Sequence, residues 1–296
     1  MGERDLEALV SKLEESGEYR ILRKLSPRRE MLPYDGSPTK SGLFVDVETT
    51  GLDPERDEII ELAMVPFRYA SDGRIFSTEE PFQSLREPGC LISEEITAIT
   101  GIDHNMVAGK VIDPRTVADF IERADLIVAH NASFDRRFLE RFCPDFIHKA
   151  WACSNSQISW RAEGFEGTRL AYLVAGAGLF YDRHRALNDC YAAIELLATR
   201  LPRSNELAMA KLLEAARTAS WRIWASGAPY DLKDVLKARG YKWNAEGQGP
   251  RRAWFIDVLS ANKDTELRFL QAEIYRREVD IPMREIDAYD RFSIRS

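Results

Sequence analysis

The chain is short of the residues that staple small secreted folds. Only four cysteines occur in 296 residues, Cys90, Cys143, Cys153 and Cys190, and no two of them form a Cys-x-x-Cys pair. That speaks against a zinc site and against a disulfide framework, and leaves buried or idle thiols as the expectation. Long apolar runs are missing too, so no segment approaches the ~20 residues that a membrane span needs. Residues 1–20 alternate charge with Leu and Val and lack the apolar stretch of a secretory signal. A cytoplasmic protein without membrane contact is therefore expected. No repeat period and no low-complexity tract is found. Positive charge is also scarce: the net charge of −7 disfavours binding nucleic acid by bulk neutralisation of phosphates.

What is present points elsewhere. With 45% hydrophobic and 30% charged residues, the chain is long enough for one core plus a smaller unit. From residue 218 onward there are 14 Lys and Arg against 12 Asp and Glu, which leaves 27 against 36 in residues 1–217. Some of that surplus negative charge must sit where cations offset it.

Leu6, Leu9, Val10 and Leu13 have helical spacing, which predicts a leading helix over 2–16, and a connector with Pro27, Pro33, Gly36 and Pro38 follows. Residues 42–48 read as a buried strand. Residues 59–69 and 74–85 continue as an antiparallel meander turned at Ser71, Asp72 and Gly73. Helices are predicted over 93–100 and 113–122. A strand over 126–130 leads into a helix over 133–142, the pattern of a parallel crossover. Further helices fall over 170–176, 186–201 and 206–217. The composition then shifts toward Trp221, Trp224, Trp243 and Trp254, which sets a boundary near residue 218. Beyond it the pattern is a strand, a helix over 230–239, a hairpin turned at 246–250 and an amphipathic helix over 265–278.

The chemistry lies in three short stretches. Asp46 and Glu48 stand at i and i+2 of a strand and so share one face. Their oxygens suit Mg²⁺ or Mn²⁺, although strand-end acids are as often merely solvated. Asp135 follows His130, Asn131, Ala132, Ser133 and Phe134 and falls in the first turn of a helix, near its positive end. The bland reading of Asp135 is an acid that favours a helix start. Asp189 lies inside the next long helix with His184 on the loop before it, and a lone histidine is more often a surface or structural residue.

Taken in order, Asp-x-Glu, Asn-x-x-Phe-Asp and His-x-x-x-x-Asp resemble the three motifs of the DnaQ-like, or DEDDh, exonuclease superfamily. The resemblance covers about residues 40–200 and includes Thr49-Thr50-Gly51-Leu52 and Ile99-Thr100-Gly101-Ile102. It implies an α/β, ribonuclease-H-like fold, a mixed five-stranded sheet flanked by helices. It also implies Asp46, Glu48, Asp135 and Asp189 as catalytic carboxylates, with His184 as general base. Two Mg²⁺ or Mn²⁺ ions would bind per site, one held directly by Asp46, Glu48 and Asp189, the second helped by Asp135. Thr49, Thr50, Gly51 and Leu52 would line the terminal-nucleotide pocket, and Asn131 and Phe134 would position the strand. Phe134 reads equally well as a core aromatic.

The implied reaction is 3′-to-5′ hydrolysis releasing nucleoside 5′-monophosphates from a nucleic acid with a free 3′ end. DNA is favoured over RNA, and repair or proofreading is the setting. An exoribonuclease of the same superfamily is the alternative, and a non-catalytic nucleic-acid-binding protein is a third reading that the intact acid set opposes. Gln83, Gln157, Gln248 and Gln271 do not stand in the context of a clamp-binding stretch, which favours a stand-alone enzyme. The expected units are a helix and connector (1–39), the exonuclease domain (40–217) and a small Trp-rich α+β domain (218–296). The last resembles no family, and leaves room for a protein partner. Its aromatics interleave with Lys233, Lys237, Arg239, Lys242, Arg251 and Arg252, and so either build a core or stack on bases.

Overall fold

A computed structural model of the chain describes residues 3–244, 250 and 252–293. Helix α1 (Glu3–Glu15) and the two-residue β1 (Arg23–Lys24) lead into the long pair β2 (Thr39–Thr49) and β3 (Ile59–Ala70), followed by β4 (Ile75–Thr78) and β5 (Phe82–Leu85). Then come α2 (Glu94–Thr100), α3 (His104–Val107), α4 (Pro114–Glu122), β6 (Leu126–Ala129), α5 (Ala132–Phe142) and β7 (Trp151–Cys153). Next are α6 (Leu170–Gly176), β8 (Leu179–Phe180), α7 (Ala186–Ala198) and α8 (Ala208–Arg217). The remainder is β9 (Ser220–Ala225), α9 (Lys233–Ala238), β10 (Lys242–Asn244), β11 (Ala253–Leu259), α10 (Lys263–Phe269) and β12 (Met283–Ile286).

The central strand is β2. It pairs antiparallel with β3 and parallel with β6, which pairs parallel with β7. Its apolar run is nearly continuous because both faces are covered. Phe44 packs with Leu173, Ala193 and Leu197 on one face. Leu43 and Val45 pack with Val117, Phe138 and Leu139 on the other. Gly42 is required by packing: a Cβ there would lie 2.2 Å from the Phe67 ring.

The sheet has six strands, not five. The expected single strand over 74–85 is broken at Pro81, which has no N–H to give to a ladder. Its halves, β4 and β5, pair with successive stretches of the same edge of β3, so the sheet still has five lanes. Helix α7 ends at Ala198 instead of 201, because Thr199 turns extended. The closing helix is α10 plus one wide π turn over Leu270–Tyr275, stopped where Arg276 takes a left-handed φ of 52°. The connector before β2 is tied down by a parallel β1–β8 ladder and by a bond from the Met31 N–H to the Phe76 carbonyl. The hairpin turn expected over 246–250 lies, apart from Pro250, outside the described residues.

Strands β10, β11, β9 and β12 form a second, antiparallel sheet around Ile223, Leu236, Leu270 and Ile274. After β12 the chain returns to the first sheet. The Trp151 N–H donates to the Ala288 carbonyl (2.8 Å). Arg136, fully buried in α5, donates to the carbonyls of Tyr289 and Arg291 (both 2.6 Å) and to Glu140 (2.7 Å), and Glu140 also accepts from the Ser293 hydroxyl (2.7 Å). The Arg136 guanidinium lies 5.3 Å from the centre of the Trp151 ring. Breaking such a buried pair strands its partner. Arg136→Ala is therefore expected to destabilise the protein by about 3–5 kcal/mol, read as a lowered urea midpoint. A shift below about 1 kcal/mol would refute a structural role for the tail contact.

Candidate active site

Asp46 and Glu48 leave β2 on one face, and the first turn of α7 brings Asp189 to them. One oxygen from each of the three lies within 4.8 Å of the others, a spacing fit for a cation. Asp135 stands beside this trio in the first turn of α5. It is buried, and its Oδ1 accepts from the Val47 N–H at 3.3 Å, which latches α5 to β2. Tyr181 donates its hydroxyl to Asp189 Oδ1 (2.7 Å), while Asp189 Oδ2 is buried without a hydrogen-bond partner among the described residues.

Burial and mutual repulsion disfavour ionisation throughout this cluster. Asp46 is held well above the usual carboxylate range, first by burial and then by Asp135, Asp189 and Glu48. Burial, followed by Asp189, Glu61 and Asp135, pushes Glu48 up to about 8. Burial raises Asp135 to about 7 and also raises Asp189. A set of hard oxygens that resist ionisation together, one of them unpartnered, fits a divalent cation of the Mg²⁺ or Mn²⁺ kind.

His184 is exposed and takes a left-handed φ of 60°. At Asp189 the Tyr181 hydroxyl and then His184 act against the effect of burial. The loop after β2 is organised by Asp57, whose carboxylate accepts from the Thr50 hydroxyl (3.1 Å) and the Asp53 N–H (2.8 Å). Thr49 bonds the Gly51 carbonyl (2.6 Å), and a Cβ on Gly51 would come 2.4 Å from Asp57. Leu52 projects from this loop with 84% of its surface exposed. Asn131 precedes α5 and accepts from the Ser133 hydroxyl (3.1 Å), whereas Phe134 packs on Phe138 at 4.9 Å in the core. His130 is spent structurally: its Nε2 faces the Thr168 carbonyl and its Nδ1 the Ser154 hydroxyl, both at 2.9 Å.

Residues 43–197, more than half of the chain, match the RNase_T exonuclease family model. The chain belongs to this exonuclease family. It is 31% identical over 204 residues to the DNA polymerase III subunit epsilon of Aquifex aeolicus, covering 67% of this chain and 90% of that protein. To the PolC-type DNA polymerase III of Thermotoga petrophila it is 29% identical over 206 residues, covering 66% of this chain but 14% of that protein. The chain thus spans only about a seventh of that PolC-type relative. A solved zinc-bound E. coli ExoI complex with single-stranded DNA shares its fold, with 17% identity and a TM-score of 0.51 over 75% of this chain and 65% of that chain.

Three side chains beside this acidic cluster escape motif reading. Glu61 pairs across the sheet with Glu48 and is fully buried. Arg185 binds it at 2.9 Å, and Tyr181 holds Asp189. An acid inside the apolar run Ile59-Ile60-Glu61-Leu62-Ala63-Met64 was a usable signal, because a buried charge demands a partner. Nothing in the sequence marks Tyr181.

The raised groups set a pH dependence. The unfolded chain ionises Glu48 near its ordinary 4.5, whereas the folded one holds the proton to about 8. Asp135 behaves likewise between 3.8 and about 7. The unfolded state thus binds fewer protons in this range, so metal-free stability falls as pH rises from about 4.5 to 8. Thermal melts in EDTA are expected to show this fall, flattened in Glu48→Gln, and Mn²⁺ should raise the melting temperature more at pH 8 than at pH 5. A Mn²⁺ effect equal at both pH values would count against the cation site.

Proposed function

We propose that the protein is a metal-dependent 3′-to-5′ exonuclease that removes nucleoside 5′-monophosphates from DNA 3′ ends in repair or proofreading. The observation that carries this reading is the convergence of Asp46, Glu48 and Asp189 within 4.8 Å, with Asp189 Oδ2 unpartnered and Asp135 alongside. DNA is preferred to RNA because the relatives are DNA polymerase III proteins.

Two Mg²⁺ or Mn²⁺ ions, one held by Asp46, Glu48 and Asp189 and the other helped by Asp135, would supply Lewis acidity to the phosphate and acidify water. The residues of the chain do the rest. His184, on its exposed loop, takes the proton of the attacking water. The water oxygen bonds to phosphorus, the bond from phosphorus to the 3′-oxygen of the preceding nucleotide breaks, and that oxygen gains a proton from solvent. Thr49, Thr50 and Gly51 shape the pocket for the terminal nucleotide, and the exposed Leu52 packs against its base. Asn131 and Phe134 fix the strand approach, Phe134 through the packing of α5.

Residues 40–217 form the catalytic domain in this reading, and residues 218–296 contact the upstream strand or a protein partner. A cleft of about 1650 Å³ bordered by α5, α8 and the second sheet, lined by Ser133, Arg137, Lys211, Arg222, Lys242 and Trp243 among others but by none of the clustered acids, offers a path for the strand upstream of the cluster. Trp243 is half exposed beside Trp254 and is placed to stack on a base.

With matched labelled DNA and RNA oligonucleotides and Mg²⁺, Mn²⁺ and EDTA arms, the expected result is stepwise cation-dependent release from DNA 3′ ends. Asp46→Ala and Asp189→Ala should abolish it. Full activity in either variant refutes the site, and faster release from RNA favours an exoribonuclease. Deleting the C-terminal unit would also remove two acceptors of Arg136, the Tyr289 and Arg291 carbonyls, so a point change is the cleaner probe of that unit. Trp243→Ala is expected to weaken binding of long strands by about 1–3 kcal/mol and to leave turnover of short oligonucleotides intact. Unchanged affinity by fluorescence anisotropy would assign Trp243 to the small core alone.

A further inference from the structure

Five carboxylates crowd the end of β2 and β3, but only four belong to the motifs. The fifth, Glu61, pairs directly with Glu48 across the sheet, so both side chains project from the same face. Two like charges opposite one another repel, and full burial of Glu61 makes the repulsion worse. Proximity alone would make Glu61 one more cation ligand.

Its hydrogen bonds exclude that role. Oε1 accepts from Gln83 Nε2 (2.8 Å) and from an Arg185 terminal nitrogen (2.9 Å). Oε2 accepts from the Ala186 N–H (3.0 Å), and Arg185 Nε lies 3.3 Å from both oxygens. Both oxygens are thus occupied by protein donors. Three of these five bonds come from the Arg185 side chain and one from the first residue of α7.

The residue just before Arg185 is His184, a non-glycine residue at φ 60°. Such a backbone costs free energy and persists only where its surroundings over-determine it. Arg185 is the N-cap residue of α7 but offers no side-chain cap of its own. The Glu61 carboxylate substitutes for one from across the sheet, accepting an N–H at the positive end of the helix.

We infer that Glu61, acting through Arg185 and the Ala186 N–H, is the positioning residue that fixes the His184 loop over the carboxylate cluster. This rests on the nuclease reading and on His184 as its base. Glu61 touches neither the substrate nor the cation. Its negative charge holds Arg185, and Arg185 in turn shields Glu48 from the like charge opposite.

The test is Glu61→Gln, which keeps size and an acceptor but removes the charge, made in wild type and in His184→Ala. Disturbing a residue that orients another typically lowers activity about 10- to 100-fold. That loss is expected in kcat, with KM and Mn²⁺ affinity (calorimetric titration) within about twofold of wild type. In the His184→Ala background the same change should cost less than about threefold. The His184 ring signal in the NMR spectrum of the metal-free protein should move in Glu61→Gln. If Glu61→Gln does not fold, Arg185→Lys, which loses the forked contact but keeps the charge, carries the same measurements.

Loss of Mn²⁺ affinity would make Glu61 a cation ligand and overturn the inference. So would an equal loss in both backgrounds, an unchanged kcat or an unmoved His184 signal. A His184→Ala protein with full kcat would instead overturn the assignment of the base, and a wild type without nuclease activity would overturn the nuclease reading.

Discussion

The rest of this structure is arranged around acidic side chains gathered at the end of a sheet where water solvates them poorly. Asp46, Glu48, Asp135, Asp189 and Glu61 converge at one end of β2 and β3, and burial is the largest influence on each of the first four. Isolated buried carboxylates would neutralise themselves by keeping their protons. The fold meets this constraint in two ways. Some of the acids are given protein donors, and the remaining oxygens are gathered where a divalent cation fits.

The same residue type takes different roles according to its partners. Glu61 has both oxygens saturated by Arg185, Gln83 and the Ala186 N–H, so it serves as an anchor. Asp135 spends one oxygen on the Val47 N–H and thereby sets the distance between α5 and β2. Asp189 gives one oxygen to Tyr181 and keeps the other unpartnered. Asp46 and Glu48 complete the cation-sized trio with it. Both α5 and α7 point their N-termini at the cluster, and the positive ends of these helices offset charge that side chains leave uncompensated.

How much of this was legible in the sequence follows from the range of each interaction. Asp46 and Glu48 lie two residues apart and Asp135 four beyond Asn131, so local spacing carried them and the order of elements. The register of β2 with β3 was not carried, because Leu43, Phe44 and Val45 are all apolar and pack into two cores in turn. Glu61 and Arg185 meet across 124 residues, a separation that no local pattern encodes. Pro81 was visible, yet the strand over 74–85 was read through it. The three-residue β7 was too short for its periodicity to register, and β12 likewise. In the Trp-rich unit the same aromatics suit a core or a base-stacking face. Burial separates them: Trp224 is inside and Trp243 is half exposed.

The C-terminal unit is tied to the core by a second buried charge. Arg136, buried in α5, bonds Glu140 of its own helix and also draws acceptors from beyond residue 217. Two of its acceptors are the Tyr289 and Arg291 carbonyls, and the edge strand β7 gives its Trp151 N–H to the Ala288 carbonyl. An uncovered edge invites pairing with other chains, and a buried guanidinium whose N–H groups lose acceptors opposes folding. Residues 288–293 therefore relieve two liabilities of the larger sheet and its helix. Because α5 carries both Arg136 and Asp135, the seating of that tail and the spacing of the acidic cluster are linked through one helix. The small sheet is held against the larger one's edge and α5 by the same contacts.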